Sequence, residues 1–439
     1  MSVYEILDKA PLKNFHYKIL LLTSLAYGLT GMDVMLIAAL VTPIAKEWNL
    51  DVVTVGYLLS VGYLGMFIGA LFFGRLADVI GRKKVLIMVL LWEAIFTALC
   101  GLSSDLTMLY ILRFLAGIGL GGALPQPGVY VSEYIPVKHR GLFLGLVETS
   151  WVYGALLSLF IPYLILPIFG WRATFFTALA PLALIPLIML FLPESVRYLL
   201  KKGETREIEN IIVKMGISSK IDKNWLEKEK ANVRKYSLRD LLSTKYARRT
   251  ILLFILWGGL VYTYHGIFLW LPTIYAKQFN LKDVTSIWWT LVVTLFQIPG
   301  YYSASYLLDK IGRKKVLATY LLIAWLASML LSLIINTTWI FVWSAVISFF
   351  NLGAWAGLYA YTPELYPTEI RGTGAGATAS FGRLIGIFAP SITGYLFATV
   401  GLFGPFTVFS LVHLVAGLSV LALGIETRRR SLEEVSELG

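Results

Sequence analysis

The feature that most constrains this chain is a succession of long apolar segments. Twelve of them, each about 20 residues or longer, alternate with short polar stretches, and a helix of that length spans the ~30 Å hydrocarbon core of a bilayer. With 57% hydrophobic and only 15% charged residues, against about 25% charged in soluble domains, the sequence predicts an all-α membrane protein with twelve transmembrane helices. The approximate spans are 17–41, 54–74, 85–104, 106–129, 142–168, 172–192, 250–278, 284–308, 316–335, 338–361, 372–399 and 403–424.

The placement of the basic residues predicts the orientation. Of the 38 Lys and Arg residues, Arg113 and Arg383 lie within the segments, 32 lie on the side of both termini, and four lie opposite: Lys46, Arg172, Lys277 and Lys282. This positive-inside bias predicts cytoplasmic termini and a plasma-membrane or inner-membrane location. It also accounts for the net charge of +12, so no nucleic-acid partner is expected. A single cysteine, Cys100, excludes an internal disulfide, and no metal or cofactor is expected.

The two halves of the sequence repeat at a constant offset of 231 residues. The matched positions include Asp78 and Asp309, the Gly-Arg-Lys-Lys-Val-Leu runs at 81–86 and 312–317, Glu133 and Glu364, and Arg140 and Arg371. Because each half contains six helices, the repeats are parallel, an arrangement that puts a substrate site at their interface near the bilayer midplane. We expect an N-terminal six-helix bundle (1–192), a cytoplasmic linker (193–249), and a C-terminal six-helix bundle with a short tail (250–439).

Several motifs carry a resemblance to a known family. They are the two glycine-containing basic loops and the patterns Arg113-Phe114-x-x-Gly117-x-Gly119, Tyr130-x-x-Glu133-x-x-Pro136-x-x-x-Arg140-Gly141, Pro193-Glu194-Ser195-x-Arg197 and Glu364-x-x-Pro367-x-x-x-Arg371-Gly372. The chain resembles the sugar porters of the major facilitator superfamily along almost its whole length. Residues 146–151, 264–272 and 359–368 carry a closer likeness to the branch with nicotinate transporters, aromatic-acid transporters and synaptic vesicle glycoproteins. The resemblance implies the major facilitator fold.

Two charges in the predicted helices are candidates for proton coupling. Charges inside a membrane cost several kcal/mol, about 2.5–3.5 on insertion scales, and mark function. At 1.5 Å per residue, Asp33 and Arg113 are expected at similar depth in the outer half, where they can pair. The pair is similar to the helix-1 Asp and helix-4 Arg of proton-coupled sugar symporters. The alternative is a static pair that holds the helices together. Glu93 is expected to make a hydrogen bond between helices or to be a protonated acid, and the alternative is a role in transport.

Two further charges are candidates for substrate binding. Glu148 occupies the place where sugar porters usually have a glutamine, and Tyr262-Thr263-Tyr264-His265 replaces their helix-7 glutamines, so a hexose is disfavoured. Arg383 is expected near mid-membrane, where its planar guanidinium suits a carboxylate or phosphate. These observations favour an anionic metabolite. The alternative is that Arg383 simply pairs with Glu148.

Four more residues are predicted to line the substrate site because the resemblance implies that helices 7 and 10 border the cavity. They are Tyr264, His265, Trp270 and Tyr359. His265 has the side chain best suited to accept a proton near neutral pH. The alternative for this residue is a structural, hydrogen-bonded histidine.

The repeated loops are predicted to contribute to gating. We expect Asp78 and Arg82 to contact helix 11 when the cavity faces outward, and Asp309 and Arg313 to form the equivalent contact with helix 5. Glu133, Arg140, Glu364 and Arg371 belong to the same predicted gating set. The alternative is that the basic loops only fix topology.

The sequence thus predicts a secondary transporter that moves a small polar metabolite, an organic anion, by proton-coupled symport with rocker-switch alternating access. A sugar or other metabolite transporter, working as a proton symporter or an uncoupled uniporter, is the first alternative. A transporter-like nutrient sensor is the second. No phosphate-binding loop or catalytic constellation is present in the sequence, so neither an ATP-driven pump nor an enzyme is expected. The expected partners are the small-molecule substrate, protons and the lipid bilayer, and the expected state is a monomer.

Overall fold

The computed structural model describes residues 3–8, 10–217, 238–333, 336–367 and 370–428, and no strand occurs in these ranges. As predicted, twelve helices of membrane-spanning length can be traced through them. They are α1 (Asn14–Glu47), α2 (Val52–Ile80), α3 (Arg82–Leu99), α4 (Leu106–Ala123 and Pro125–Tyr134), α5 (137–169), α6 (171–191), α7 (Ala247–Phe268 and Leu271–Gln278), α8 (Asp283–Leu295 and Gln297–Ile311), α9 (Arg313–Leu333), α10 (Thr337–Glu364), α11 (Arg371–Val400) and α12 (Phe403–Leu423).

By length and hydropathy alone, ten membrane-spanning segments are identified in the described residues. Two of the twelve helices therefore do not appear as segments of their own. The segment Lys138–Phe191 contains two crossings, because Gly170 adopts a φ of 75° and reverses the chain there. Helix α8 is interrupted at Phe296, so each of its two pieces is too short to qualify alone. Together these two cases account for the difference between ten segments and twelve helices.

The turns between helices define two faces of the molecule. We call the side that holds residues 10–13, 192–217 and 424–428 the terminal face, and the opposite side the distal face. On the terminal face Gly81 and Gly312 have φ values of 104° and 101°, a conformation that side chains with a Cβ rarely adopt. On the distal face Asp51 and Asp105 cap α2 and α4. Hydrogen bonds from the backbone N–H groups of Thr54 and Met108 lower the pKa of these two carboxyls.

An ion pair recurs on the terminal face of each half. In the N-terminal half, Arg82 at the start of α3 lies 3.2 Å from Oε1 of Glu133 near the end of α4. The hydroxyl of Ser195 donates to the same carboxylate at 2.6 Å. The three groups therefore tie the N-terminus of α3 to the end of α4 and to the segment that follows α6.

The C-terminal half repeats this arrangement with equivalent residues. Arg313 at the start of α9 lies 3.0 Å from Glu364 at the end of α10, and Thr427 donates its hydroxyl to Glu364 at 2.5 Å. Glu194 and Glu426 then accept backbone N–H groups at the N-termini of α3 and α9, at 3.0 and 2.9 Å, where a negative charge is favoured. The molecule therefore consists of two parallel six-helix repeats.

The segment after α6 packs against the N-terminal half. It forms helices at Val196–Lys202 and Thr205–Lys214, whose apolar residues Leu199, Ile208 and Ile212 are buried in one cluster with residues of α2 and α3. Residues 218–237, the middle of the predicted linker, lie outside the described residues. The predicted domain boundaries stay predictions.

Contacts between the halves are concentrated toward the distal face. They include the ion pair Lys46–Asp283 at 2.6 Å and the hydroxyl pairs Thr42–Thr273 at 2.8 Å and Ser60–Ser391 at 2.6 Å. Toward the terminal face, Gly74 of α2 and Gly372 of α11 have no heavy atom of another described element within 4 Å of the position that a Cβ would take. The halves therefore close against each other on the distal side and separate toward the terminal side.

Candidate functional site

A cavity of about 260 Å³ lies between the two halves, close to the lower end of the ~300–1,000 Å³ range of small-molecule sites. Its lining is largely aromatic, with one carboxylate (Glu148), one guanidinium (Arg383) and one imidazole (His265). The aromatic members are Tyr27, Tyr63, Trp151, Trp257, Tyr264, Tyr301, Trp355 and Tyr359. A pocket of this size and composition suits a small, flat molecule with few polar groups.

Helical spacing brings these side chains to one surface. Trp355 and Tyr359 are four residues apart on α10 and share a face, with ring centroids 5.6 Å apart. Trp257 of α7 meets both rings edge-on, at 5.6 Å from Trp355 and 5.4 Å from Tyr359. Such edge-to-face contacts hold aromatic rings in fixed positions. One wall of the cavity is therefore a pre-formed aromatic surface.

Polar contacts join the N-terminal half to the C-terminal half at the cavity. The hydroxyl of Tyr27 on α1 donates to Oε2 of Glu148 on α5 at 2.6 Å, and it lies 3.4 Å from the hydroxyl of Tyr359 on α10. Separately, the indole N–H of Trp151 donates to the hydroxyl of Tyr264 at 2.9 Å. Glu148, Tyr264 and Tyr359 thus lie together in the cavity, where they were predicted to be.

Arg383 of α11 borders the same cavity. Across the part of the chain that the structure describes, its guanidinium makes no hydrogen bond and has no carboxylate within 4.0 Å, so the direct pair with Glu148 is not formed. Glu148, Tyr27 and Tyr359 are nevertheless near enough to interact with it electrostatically. A guanidinium without a direct partner keeps its planar set of N–H donors, which can bind a carboxylate or phosphate through two parallel hydrogen bonds.

His265 also lines the cavity, buried between aromatic rings. Its Nδ1 lies 3.0 Å from the carbonyl oxygen of Val261, so Nδ1 carries the proton and donates it to that oxygen. The ring packs edge-on against Tyr63, with centroids 4.8 Å apart. Its Nε2 is therefore available as a hydrogen-bond acceptor.

Trp270 does not lie in the central cavity, contrary to prediction. Helix α7 is interrupted between Phe268 and Leu271, and this break turns the Trp270 side chain toward α11. There its indole N–H donates to the carbonyl of Pro390 at 3.0 Å, and its ring packs on Gly394. Trp270 thus packs between α7 and α11 within the C-terminal half, near the distal face.

The predicted direct pair between Asp33 and Arg113 is also not formed. Both side chains are buried but lie outside the cavity lining. Neither carboxylate oxygen of Asp33 has a hydrogen-bond partner within the described residues, nor do Nε and Nη1 of Arg113. Glu93 lies close enough to interact electrostatically with Asp33, as Arg113 does. As expected, Glu93 makes an interhelical hydrogen bond, which it accepts from the Thr30 hydroxyl at 2.8 Å.

The predicted gating residues bind partners within their own halves. Arg82 and Arg313 pair with Glu133 and Glu364 as described, and each has an aspartate one helical turn earlier: Asp78 at 3.8 Å and Asp309 at 3.1 Å. Among the described contacts of these four loop residues, none reaches α11 or α5 across the halves. The reason is geometric, because the halves are apart on the terminal side.

The remaining two gating candidates also lie on the terminal face. Arg140 pairs at 2.6 Å with Asp8, in the short N-terminal helix Val3–Asp8. The guanidinium of Arg371 donates to the carbonyl of Tyr366 at 3.4 Å. These contacts place both arginines next to the predicted gate.

Comparison with known proteins agrees with this architecture. Residues 19–438 match the family described as sugar (and other) transporter, and the chain belongs to this family of the major facilitator superfamily. The niacin transporter NiaP of Acinetobacter baylyi is 36% identical over 438 residues, which cover 99% of this chain and 100% of that protein.

Two further likenesses are informative. The benzoate transport protein of A. baylyi is 29% identical over 408 residues, covering 90% of this chain and 86% of that protein. The partially occluded inward-open xylose transporter XylE of E. coli has the same fold, with a TM-score of 0.77, 17% identity and coverage of 95% of this chain and 100% of that one. The chain is therefore a secondary transporter of small metabolites, and its relatives are transporters rather than enzymes.

Sequence reasoning missed six aromatic cavity residues: Tyr27, Tyr63, Trp151, Trp257, Tyr301 and Trp355. In a chain with 13 Trp, 24 Tyr and 25 Phe, an aromatic side chain by itself carries little information. The sequence did contain a signal for Trp355, because this residue precedes the predicted cavity residue Tyr359 by one helical turn and so shares its face. In the same way Trp257 lies eight residues before His265, on the same helical face.

Proposed function

We propose that this protein is a proton-coupled symporter of a small aromatic carboxylate of the size of nicotinate or benzoate. The observation that carries the proposal is the guanidinium of Arg383, which has no direct partner among the described residues and borders a small aromatic cavity between the halves. A planar guanidinium binds a carboxylate through two parallel hydrogen bonds. The relatives named for niacin and benzoate transport support this substrate class.

The cavity walls suit the ring of such a substrate. Trp257, Trp355 and Tyr359 form a wall of rings around the same space that Arg383 borders. Aromatic rings attract another flat ring through stacked or edge-to-face contacts worth ~0.5–1.5 kcal/mol each. The neutral His265, with Nε2 free to accept, can receive a hydroxyl or N–H group of the substrate.

The buried cluster of Asp33 and Arg113 supports proton coupling. A buried carboxylate without a hydrogen-bond partner is unstable as an anion unless a cation compensates it, and Arg113 is the cation that interacts with it. Movement of Arg113 relative to Asp33 during the cycle would therefore change the occupancy of the proton. We propose that Asp33 holds the coupled proton and that Arg113 controls its release.

The distribution of contacts supports alternating access by rocking. The halves meet on the distal side through small polar contacts, while the terminal ends of α2 and α11 are apart. With cytoplasmic termini, this is an inward-facing state. In the outward-facing state the Asp78–Arg82 and Asp309–Arg313 segments would contact α11 and α5.

The test is uptake of labelled nicotinate into proteoliposomes with and without an inwardly directed proton gradient. We expect the gradient to accelerate uptake and to drive accumulation, approaching about tenfold per pH unit for each coupled proton. Xylose serves as the comparison substrate and is not expected to accumulate. Equal uptake with and without the gradient would contradict symport, and xylose uptake without nicotinate uptake would contradict the substrate class.

A variant of Arg383 tests the binding group. Arg383→Lys keeps the charge but loses the planar fork, so we expect the Kd for nicotinate to rise about tenfold or more, because charge-assisted hydrogen bonds contribute ~1.5–3 kcal/mol. Arg248→Lys is the matched control, since Arg248 is an exposed arginine on the terminal side that binds the carbonyl of Leu423. Unchanged affinity in Arg383→Lys would contradict the proposed site.

A further inference from the structure

The cavity contains one fixed positive and one negative side chain, and they come from different halves. Arg383 lies on α11 of the C-terminal half, and Glu148 lies on α5 of the N-terminal half. The other lining side chains are apolar, aromatic or hydroxyl-bearing, apart from His265. With Glu148 ionised and His265 neutral, the empty cavity has no net charge.

Binding of a carboxylate disturbs this balance. An anion at Arg383 would add a second negative charge beside Glu148, in a site whose aromatic walls screen charge poorly. Like charges in such surroundings repel strongly, and one of the two carboxyl groups is then stabilised in its protonated form. The substrate must be held by Arg383 as an anion, so Glu148 is the group that takes up the proton.

We propose that Glu148 is a proton-binding site linked to substrate binding, so that a proton enters the cavity together with the substrate carboxylate. This inference rests on the proposed function, because it requires an anionic substrate at Arg383. In the empty state the Glu148 carboxylate balances Arg383. In the loaded state the substrate carboxylate replaces it as the counter-ion of Arg383, and protonated Glu148 is neutral.

The groups around Glu148 can accommodate both protonation states. From α1, the Tyr27 hydroxyl donates to the carboxylate at 2.6 Å; from α10, the Tyr359 hydroxyl lies 3.4 Å from that of Tyr27. A tyrosine hydroxyl can both donate and accept. When Glu148 is protonated, it can donate to Tyr27 while Tyr27 donates to Tyr359. No backbone movement is needed for this switch.

The remaining polar groups from neighbouring helices do not take the proton in place of Glu148. Tyr301 of α8 donates its hydroxyl to the carbonyl of Gly145 at 3.2 Å, and Tyr264 of α7 accepts from Trp151.

The imidazole of His265 on α7 is a further titratable group in the cavity lining. Its Nδ1 already donates to the carbonyl of Val261 and its ring packs edge-on against Tyr63. A second proton would therefore place a charged N–H among aromatic rings without a described acceptor, whereas protonated Glu148 can donate to the hydroxyl of Tyr27.

Glu148 differs in this respect from Asp33. Asp33 is buried outside the cavity lining, so the substrate cannot touch it, and its proton is linked to substrate only through a change of conformation. Glu148 shares a cavity with the substrate, so its proton is linked to binding itself. The two carboxyls can therefore be distinguished by an equilibrium binding measurement without any transport.

The experiment measures the Kd of the purified full-length protein for nicotinate between about pH 6 and pH 9, a range in which a perturbed Glu can titrate. We expect the wild-type Kd to rise with pH, approaching tenfold per unit, and the Kd of Glu148→Gln to be independent of pH. Asp33→Asn should keep the wild-type pH dependence. Nicotinamide, which has no carboxylate, is the ligand control and should bind with a pH-independent Kd.

Four outcomes would contradict the inference or what it rests on. A Glu148→Gln protein whose Kd retains the wild-type pH dependence would overturn the assignment to Glu148, and loss of the dependence in His265→Asn but not in Glu148→Gln would transfer it to the imidazole. A wild-type Kd that does not vary with pH would overturn the inference while leaving the carboxylate site intact. Absence of nicotinate binding at every pH would overturn the proposed function itself. Glu148→Asp, which keeps a carboxyl, should restore a pH-dependent Kd if Glu148→Gln fails to fold.

Discussion

Helices α1, α3 and α4 of the N-terminal half enclose ionisable side chains, whereas the equivalent helices of the C-terminal half enclose an uncharged network. In the N-terminal half the buried group consists of Asp33, Glu93 and Arg113, with several oxygen and nitrogen atoms that have no hydrogen-bond partner within the described residues. If both carboxyls and the guanidinium were charged, one negative charge would have no cation to compensate it. At least one proton therefore resides in this group when Arg113 compensates the other carboxyl.

The C-terminal half has hydrogen bonds at this level instead. Asn351 of α10 donates to the hydroxyl of Thr263 on α7 and lies within 2.9 Å of Nε2 of His413 on α12. Nδ1 of His413 in turn lies 3.4 Å from the hydroxyl of Ser328 on α9. The network holds four helices together, and with the Asn351 amide donating, Nε2 of His413 accepts and the imidazole is uncharged.

The two halves therefore share the arrangement of their helices but differ in the ionisable side chains that they bury. At the offset of 231 residues, Glu93 and Arg113 are replaced by Ala324 and Ser344. The terminal-face pairs, in contrast, occur in both halves. Proton chemistry that is linked to the change of conformation is therefore expected to reside in the N-terminal half, while the C-terminal half serves as a rigid binding surface.

Among the variants that test this difference between the halves, Asp33→Asn is expected to have the largest effect. It removes one of the two carboxyls of the N-terminal cluster, so we expect a lower nicotinate accumulation per pH unit, limited to what the proton on Glu148 supports, with exchange of internal and external nicotinate retained. Measurement in proteoliposomes under an imposed pH gradient checks this. Glu93→Gln is the matched control, and it should retain accumulation because Glu93 already has a hydrogen bond from Thr30. An accumulation ratio in Asp33→Asn equal to that of the wild-type protein would contradict the assignment of proton chemistry to this cluster.

The terminal-face pairs test whether the repeat is energetically symmetric. The side chain of Glu133 is 4% exposed, whereas that of Glu364 is 26% exposed. Arg82→Gln therefore leaves a buried carboxylate without the cation in direct contact with it, at a cost of ~3 kcal/mol, while Arg313→Gln leaves a carboxylate that water can reach. We expect the larger drop in the thermal unfolding midpoint for Arg82→Gln.

The double variant Arg82→Gln/Glu133→Gln is the control for this pair. It removes both charges, so we expect it to recover most of the stability lost in Arg82→Gln. Equal destabilisation by Arg82→Gln and Arg313→Gln would show that exposure does not control the strength of these pairs.

A substitution in the uncharged network should lower the stability of the protein without changing the coupling of transport to protons. Asn351→Leu removes the donor that links Thr263 to His413 and leaves both without that partner, so we expect a loss of about 1–3 kcal/mol in the free energy of unfolding. Nicotinate accumulation per pH unit should be unchanged in the protein that remains folded. A change in nicotinate accumulation per pH unit would mean that the C-terminal half also takes part in proton coupling.

The smallest effect is expected at the distal face. In the Lys46–Asp283 pair the side chains are 60% and 21% exposed, and such pairs contribute only ~0.2–1 kcal/mol. Lys46→Gln should therefore shift the balance between outward-facing and inward-facing states by at most about fivefold, and it should do so less at high salt. To measure the shift, a cysteine is placed in the cavity and its labelling from each side of the membrane is compared. A larger shift would mean that this pair dominates the distal closure.

Much of the fold was predictable because membrane helices follow from local composition and length. The twelve segments, the two repeats, the turns at Gly81 and Gly312, and the presence of Glu148 and Arg383 in one central site followed from pattern and spacing. These features depend on residues close in sequence or on a repeat that is visible in the letters. The family resemblance supplied the faces of α7 and α10.

Contacts between helices were harder to predict. Trp270 was misplaced because the break in α7 before Leu271 turns its side chain toward Pro390, and composition does not show where a helix breaks. Asp33 and Arg113 were expected to pair from their similar depth, but depth does not give the rotation of a helix about its axis. The predicted contacts of Arg82 and Arg313 across the halves depend on the conformational state, which the sequence does not specify.

The hydroxyl pairs at the distal face have a consequence for the direction of transport. Thr42 with Thr273 and Ser60 with Ser391 exchange one hydroxyl partner for another, or for water, when the halves separate. Such an exchange changes the free energy little, so these pairs should add little to the difference in free energy between the open and closed states. A closure of this kind gives the carrier no built-in preference for import over export. The gradients of substrate and protons alone would then decide which way it runs, and a reversed gradient should make the same protein release its cargo.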